Sequence, residues 1–158
     1  SKNQGNPDYD DVVPEFRFWE QMLFVDKLYH AKIYHQIRVE QRWKRDYKKG
    51  SEYELSHRFR YRLTTYIPLN SHKLIPGTWF LSAYDEIFIQ AGPPITYNHF
   101  EDNRLFVGIG YILDNNVQMQ MGYMWSFKHN ASPYDYINTH IVRLSVYHNM
   151  DFYKSRSN

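Results

Sequence analysis

Apolar and polar residues alternate with a period of two along most of the chain. Over Ala31–Trp43, Ala31, Ile33, His35, Ile37, Val39, Gln41 and Trp43 fall on one parity, and Lys32, Tyr34, Gln36, Arg38, Glu40 and Arg42 on the other. Successive side chains of a strand point to opposite faces, so this spacing predicts a strand with one largely apolar and one polar face. Glu54–Leu69 repeats it, with Leu55, Phe59, Tyr61, Leu63 and Ile67 against Glu54, Ser56, Arg58, Arg60, Arg62 and Thr64. A helix would scatter the three arginines around its circumference, whereas a strand stacks them on one side. Trp79–Gln90, Arg104–Leu113, Val117–Lys128 and Thr139–Phe152 follow the same rule, with Asp85 a flaw on the apolar side of the first of these. Glu15–Leu28 is the least regular, because Glu20 and Asp26 share a face with Phe16, Phe18, Met22, Phe24 and Leu28.

The pattern therefore predicts an all-β chain of seven long strands over residues 15–152. These stretches are roughly twice the usual globular strand of about 5–6 residues. Tilted strands crossing a bilayer need about 9–11 residues, so length and alternation together predict an antiparallel up-and-down transmembrane β-barrel. The connections also alternate: Lys27–Lys32 and Leu113–Val117 are short and Leu69–Thr78 is intermediate, whereas Lys44–Tyr53, Ala91–Asn103 and Lys128–Asn138 are long and polar. Outer-membrane barrels sort their loops in this way, with short periplasmic turns and longer external loops. On that assignment residues 1–14 read as an external loop or truncated start, and residues 153–158 as a short periplasmic tail. Single-chain barrels have an even strand number, so an odd number of upstream strands, or another chain supplying them, is expected.

Composition removes several alternatives. Aromatic residues make up 18% of the 158 positions, which argues against intrinsic disorder. The longest stretch without Asp, Glu, Lys or Arg, Ile87–Phe100, contains two prolines and is too short for a spanning helix. Mean hydropathy is −0.70 because the two faces cancel in any running average. A formal charge of +2, with no long block of like charges, gives no expectation of nucleic acid. With no cysteine there is no disulfide, thiol nucleophile or thiolate metal site. Trp43, Trp79, Tyr111, Phe127 and Phe152 fall near predicted strand ends, where interfacial aromatic girdles form.

The strings Arg38-Val39-Glu40-Gln41-Arg42-Trp43, Arg58-Phe59-Arg60-Tyr61-Arg62-Leu63, Asp85-Glu86-Ile87-Phe88, Asn103–Tyr111 and Met121-Gly122-Tyr123-Met124 occur in that order. Together, over roughly Phe16 to Phe152, they resemble an uncharacterised outer-membrane β-barrel family of Bacteroidota, classed as a domain of unknown function. The resemblance implies a barrel in the cell outer membrane, with further strands upstream, and it carries over no catalytic residue.

The chemistry sits on the polar face. Arg38, Glu40, Arg42, Arg58, Arg60, Arg62, Glu86, Arg104 and Arg143, with Glu54, are expected to form a cross-strand Arg/Glu network that fills the barrel lumen. An anion-preferring pore is the alternative, and a soluble ligand-binding barrel with inverted faces is a further one. No enzyme activity is expected: His57, beside Ser56 and Glu54, falls on the opposite face from both. His35, His57, His140 and His148 interrupt apolar faces, and no His-x-His or His-x3-His pair suggests a metal. Gly108, Gly110 and Gly122 lie within strands and mark bulges or close packing. The terminal run Val142–Phe152 resembles the signal read by barrel-assembly machinery. The sequence thus points to a structural or accessory envelope protein without cofactor or metal. Its expected partners are outer-membrane lipid, other envelope proteins, and a chain supplying further strands.

Overall fold

The computed structural model describes residues 8, 12–93, 99–129 and 135–150. Seven strands are formed: β1 (Phe16–Leu28), β2 (Ala31–Lys44), β3 (Glu54–Pro68), β4 (Trp79–Ala91), β5 (Phe100–Ile112), β6 (Val117–His129) and β7 (Tyr136–His148). They make one antiparallel sheet in chain order, each strand paired with its sequence neighbours. β1 and β7 do not pair with each other, so among the described residues the sheet is open rather than closed into the expected barrel.

The sheet is nevertheless strongly curled. Strands β4 and β7 are three positions apart, about 14 Å in a flat sheet, yet Arg143 Nη1 donates to the Tyr84 hydroxyl at 3.3 Å. Leu23 of β1 and Tyr147 of β7 line one cavity. The polar parity occupies the concave side, where Glu40 and Glu86 are each 2% exposed. The apolar parity is convex and open, with Val142 at 74% and Leu144 at 68% exposure. Among the described residues four aromatic rings, Phe80, Tyr84, Phe88 and Phe106, are the buried hydrophobic side chains, and they too lie on the concave face.

Tight local chemistry closes the short connections. Tyr29 adopts φ 53° in the β1–β2 hairpin, directly after the Leu28–Ala31 pair. In the β5–β6 turn, Asp114 Oδ1 accepts the backbone N–H groups of Asn116 and Val117, each at 2.7 Å, an Asx turn that reverses the chain. The longer β3–β4 connection folds back, and Gly77 N donates to Ile112 O at 2.8 Å.

Two strands, β5 and β7, depart from their expected bounds by more than one residue. β5 begins at Phe100 rather than Arg104, and the reason is a bulge. Phe88 pairs with Asp102 but Ile89 pairs with Phe100, leaving Glu101 as the extra residue. A bulge breaks the two-residue period. Phe100 and Leu105 therefore share the convex face although an odd number of steps separates them, and a strict alternation search stops short. β7 spans Tyr136–His148 instead of Thr139–Phe152, with Asn149 N donating to Asn116 O at 2.8 Å just beyond it. Phe152 and residues 153–158 lie outside the described residues, as does residue 1.

The in-strand glycines serve close packing. Gly108 and Gly122 are direct partners on β5 and β6, and a Cβ on either would come within 2.7 Å of Phe106 Cζ. A Cβ on Gly110 would lie 2.2 Å from Phe80 Cζ. Two large rings are thus accommodated because three strand positions carry no side chain.

Candidate functional site: the concave polar face

Eight arginines lie on the concave face: Arg17, Arg38, Arg42, Arg58, Arg60, Arg62, Arg104 and Arg143. Their surroundings divide the face into two halves. Toward the long connections the charges are compensated. Arg58 reaches Glu101 on β5 through Nε at 2.6 Å and Glu40 on β2 at 3.5 Å. Arg60 Nε donates to Glu86, and Arg104 reaches Asp102 at 2.7 Å. Asp102 also accepts the Ser126 hydroxyl at 2.8 Å. Arg42 and Arg17 both bind Glu15, at 2.9 and 2.7 Å. Arg38 lies 3.8 Å from Glu40 and donates to Gln21 Oε1 through Nε at 3.0 Å.

These ion pairs are stacked on aromatic faces. The guanidinium groups of Arg104, Arg60 and Arg58 lie 4.6, 5.2 and 5.9 Å from the centroid of Phe88. Planar guanidinium groups suit this arrangement, since one group can stack on a ring and pair with a carboxylate at once. Glu40, Glu86 and Asp102 are nearly buried, so each of these charges would be expensive to leave alone, and each of the six arginines meets a carboxylate. Glu15 is held down at a pKa of about 2, chiefly by the hydrogen bond from Arg42, against the opposing effect of burial.

Toward the short connections the balance changes. Arg62 and Arg143 have no carboxylate within ion-pair distance among the described residues. Arg62 lies 3.9 Å from the centroid of the Tyr84 ring, and its Nε is buried with no hydrogen-bond partner. Arg143 donates to Ser145 Oγ, Tyr84 Oη and Tyr147 Oη at 3.0, 3.3 and 3.2 Å. Both arginines line a cavity of about 600 Å³ that takes residues from all seven strands.

The structure thus brings Arg38, Glu40, Arg42, Arg58, Arg60, Glu86 and Arg104 into one network, while Arg62 and Arg143 stand apart from it. Glu15, Arg17, Glu101 and Asp102 are members that sequence reasoning missed. Glu15 and Arg17 carry the right parity beside Phe16 and Phe18, so alternation alone could have found them. Glu101 was hidden by the bulge, whose trace in sequence is the odd spacing between Phe100 and Leu105; Asp102 keeps the parity of Arg104 and was missed because Asn103 breaks the apolar parity beside it.

Four of the expected interfacial aromatics sit at the two ends of the sheet, and Phe152 lies outside the described residues. Trp79 and Tyr111 meet at 4.8 Å at the short-turn end. Trp43 packs edge-on to Phe18 at 5.7 Å, and Phe127 stacks on Tyr136 at 4.7 Å, at the other end. Several polar residues of the convex face find partners on it. Asn103 donates to Asp85 at 2.7 Å, His35 lies 2.8 Å from the Tyr61 hydroxyl, and His140 bonds Tyr123. His57 pairs in register with Gln41, on the opposite face from Ser56 and Glu54. Among the described residues no group of three or more His, Asp or Glu side chains could hold a metal ion.

A family model matches residues 3–138 of this chain. The chain belongs to the family described as Protein of unknown function (DUF2490). No curated protein and no solved structure matches it. The DUF2490 match covers β1 to β6 and the first residues of β7, so the compensated network lies wholly inside it and Arg143 and Tyr147 lie beyond it. It establishes a domain family of unknown function, and carries neither an outer-membrane location nor a Bacteroidota origin.

Proposed function

We propose that this chain forms part of an outer-membrane β-barrel with a structural or accessory role in the cell envelope. The concave Arg/Glu network would line the barrel interior, and the convex face would meet lipid. One observation carries the reading: the faces are inverted relative to a water-soluble sheet. The concave side holds Glu40, Glu86 and Asp102 at 2–3% exposure, while the convex side leaves Phe18, Met121, Val142 and Leu144 at 57–74%. A contiguous apolar surface of this kind on a monomer in water is unusual and marks a contact surface.

Strand length fits the same reading. Strands of 13 to 15 residues extend about 43–50 Å at about 3.3 Å per residue. Tilted by about 40°, they project about 33–38 Å along the normal, more than the apolar band of about 25 Å. Closure would come through the outer edges of β1 and β7, either with further strands or within a larger envelope assembly. The test is extraction: the chain is expected in the detergent-soluble membrane fraction, with heat-modifiable gel mobility. Partition into the aqueous phase without detergent would overturn it.

A second reading, a small anion-preferring pore, is favoured by the excess of arginines over carboxylates on the concave face. Channel conductance in planar bilayers with anion preference would support it. Absence of conductance would leave the filled interior as the better description.

A further inference from the structure

The uncompensated half of the concave face is built to receive an anion. Three cations, Lys32, Arg62 and Arg143, line the cavity of about 600 Å³ near the short connections. None has a carboxylate within ion-pair distance among the described residues. Among the described residues the one acidic side chain on the cavity wall is Asp114, whose Oδ1 already accepts two turn N–H groups. The contrast with the other half of the same face is sharp, since all six arginines there have a carboxylate within ion-pair distance, on their own or a neighbouring strand.

Register makes this separation specific rather than a consequence of composition. Glu86 is the direct cross-strand partner of Arg62, so the simplest pairing would neutralise it. Glu86 instead accepts the Arg60 Nε–H, and Arg62 turns onto the Tyr84 ring. Its Nε is left buried without a partner. Buried donors with no acceptor are rare, because each gives up its water without gaining a partner. A cation held this way gains most from an acceptor entering the cavity beside it.

Tyr34, Tyr66 and Tyr147 and the amide of Gln118 add polar groups to the same wall. The geometry points to a binding site for a phosphate-class oxyanion. Three cations suit a group carrying close to two negative charges better than a single carboxylate, and planar arginines bind its oxygens in bidentate fashion. The volume exceeds that of inorganic phosphate, so the group is expected on a small polar body or at the head of a lipid. The site rests on these side chains alone and holds whether or not the convex face meets a membrane.

Titration calorimetry of the purified full chain in an uncharged detergent tests this, with inorganic phosphate, glycerol 3-phosphate and phosphatidic acid in mixed micelles as probes. At least one probe should bind saturably, more weakly as salt rises. The R62Q/R143Q double variant should weaken that binding tenfold or more. Lys44→Gln removes a cation from the far end of the same face and should leave it unchanged. Tighter binding of phosphatidic acid identifies a lipid headgroup as the source, and tighter binding of glycerol 3-phosphate a soluble ester. Should the double variant fail to fold, Lys32→Gln is expected to weaken binding severalfold in its place. Saturable binding of none of the three probes, or equal affinity in wild type and cavity variants, would overturn the site.

Discussion

Arg62 and Glu86 face each other directly across β3 and β4, yet Glu86 accepts its hydrogen bond from Arg60, two residues along the strand. Both arginines lean toward the short-turn end, so a register that offers one carboxylate to Arg62 delivers it to Arg60. The diagonal neighbour is within reach of a long side chain, and the Tyr84 ring offers Arg62 an alternative. That one displacement divides the concave face into a neutralised half and a cationic half.

The Arg60–Glu86 pair is buried on the carboxylate side, with the Glu86 side chain only 3% exposed. Glu86→Gln leaves a guanidinium facing a neutral amide in a poorly solvated place. The expected loss is about 3–5 kcal/mol, the range for breaking a buried pair from one side. Replacing both residues by methionine should cost less than the single change. Denaturant unfolding of the refolded variants measures both.

Gly110→Ala would set a Cβ 2.2 Å from the buried Phe80 ring. Overpacking of this kind is expected to destabilise by about 1–3 kcal/mol. Adding Phe80→Leu should recover part of the loss, because the smaller side chain frees the space. Thermal unfolding of the single and double variants distinguishes this steric account from a requirement for glycine flexibility.

Glu101 exists on the concave face only because of the bulge opposite Phe88 and Ile89. Glu101→Ala removes the carboxylate held by Arg58 and is expected to cost about 1.5–3 kcal/mol, the value of hydrogen bonds to a charged group. Deleting Glu101 should cost more, since Phe100 would rotate off the convex face or the register of β4 and β5 would slip. Unfolding midpoints, with Trp125 and Trp79 fluorescence as probes, compare the two.

The lowered pKa of Glu15 sets a pH dependence. Its carboxyl titrates near 4.5 when unperturbed and near 2 in the fold. A depressed folded value means that the contribution is complete above about pH 4.5 and is lost as pH falls toward 2. Acid unfolding of wild type should therefore show this loss within that window, and Glu15→Gln should remove that share of the pH slope. A stability difference between the two proteins that stays constant from pH 5 to pH 2 would contradict it.

Val142 is the most exposed of the apolar residues of β7, at 74%, and separates the environments proposed for the convex face. If this face meets hydrocarbon, Val142→Arg should cost about 2–4 kcal/mol near the midplane. If it faces water, the change should stay within about 0.5 kcal/mol. Unfolding from lipid vesicles and from aqueous buffer gives the comparison directly.

Alternation made most of the fold legible. It depends only on the backbone, because any strand sends Lys32, Arg38 and Arg42 to one side and Ile33, Ile37 and Val39 to the other. Strand identity, chain-order pairing and the chemical character of each face were therefore readable from local spacing. Glu101 was not, because a bulge changes parity and its position depends on how the partner strand packs.

The buried rings Phe80, Phe88 and Phe106 sit among polar positions, where binary patterning takes them for noise. Only the folded sheet, with its glycines opposite, makes them a core. The sequence by itself determined that arginines and carboxylates would share one face. Which arginine takes which carboxylate was decided by the tertiary structure, because that choice turns on a few ångströms of side-chain lean across curved strands.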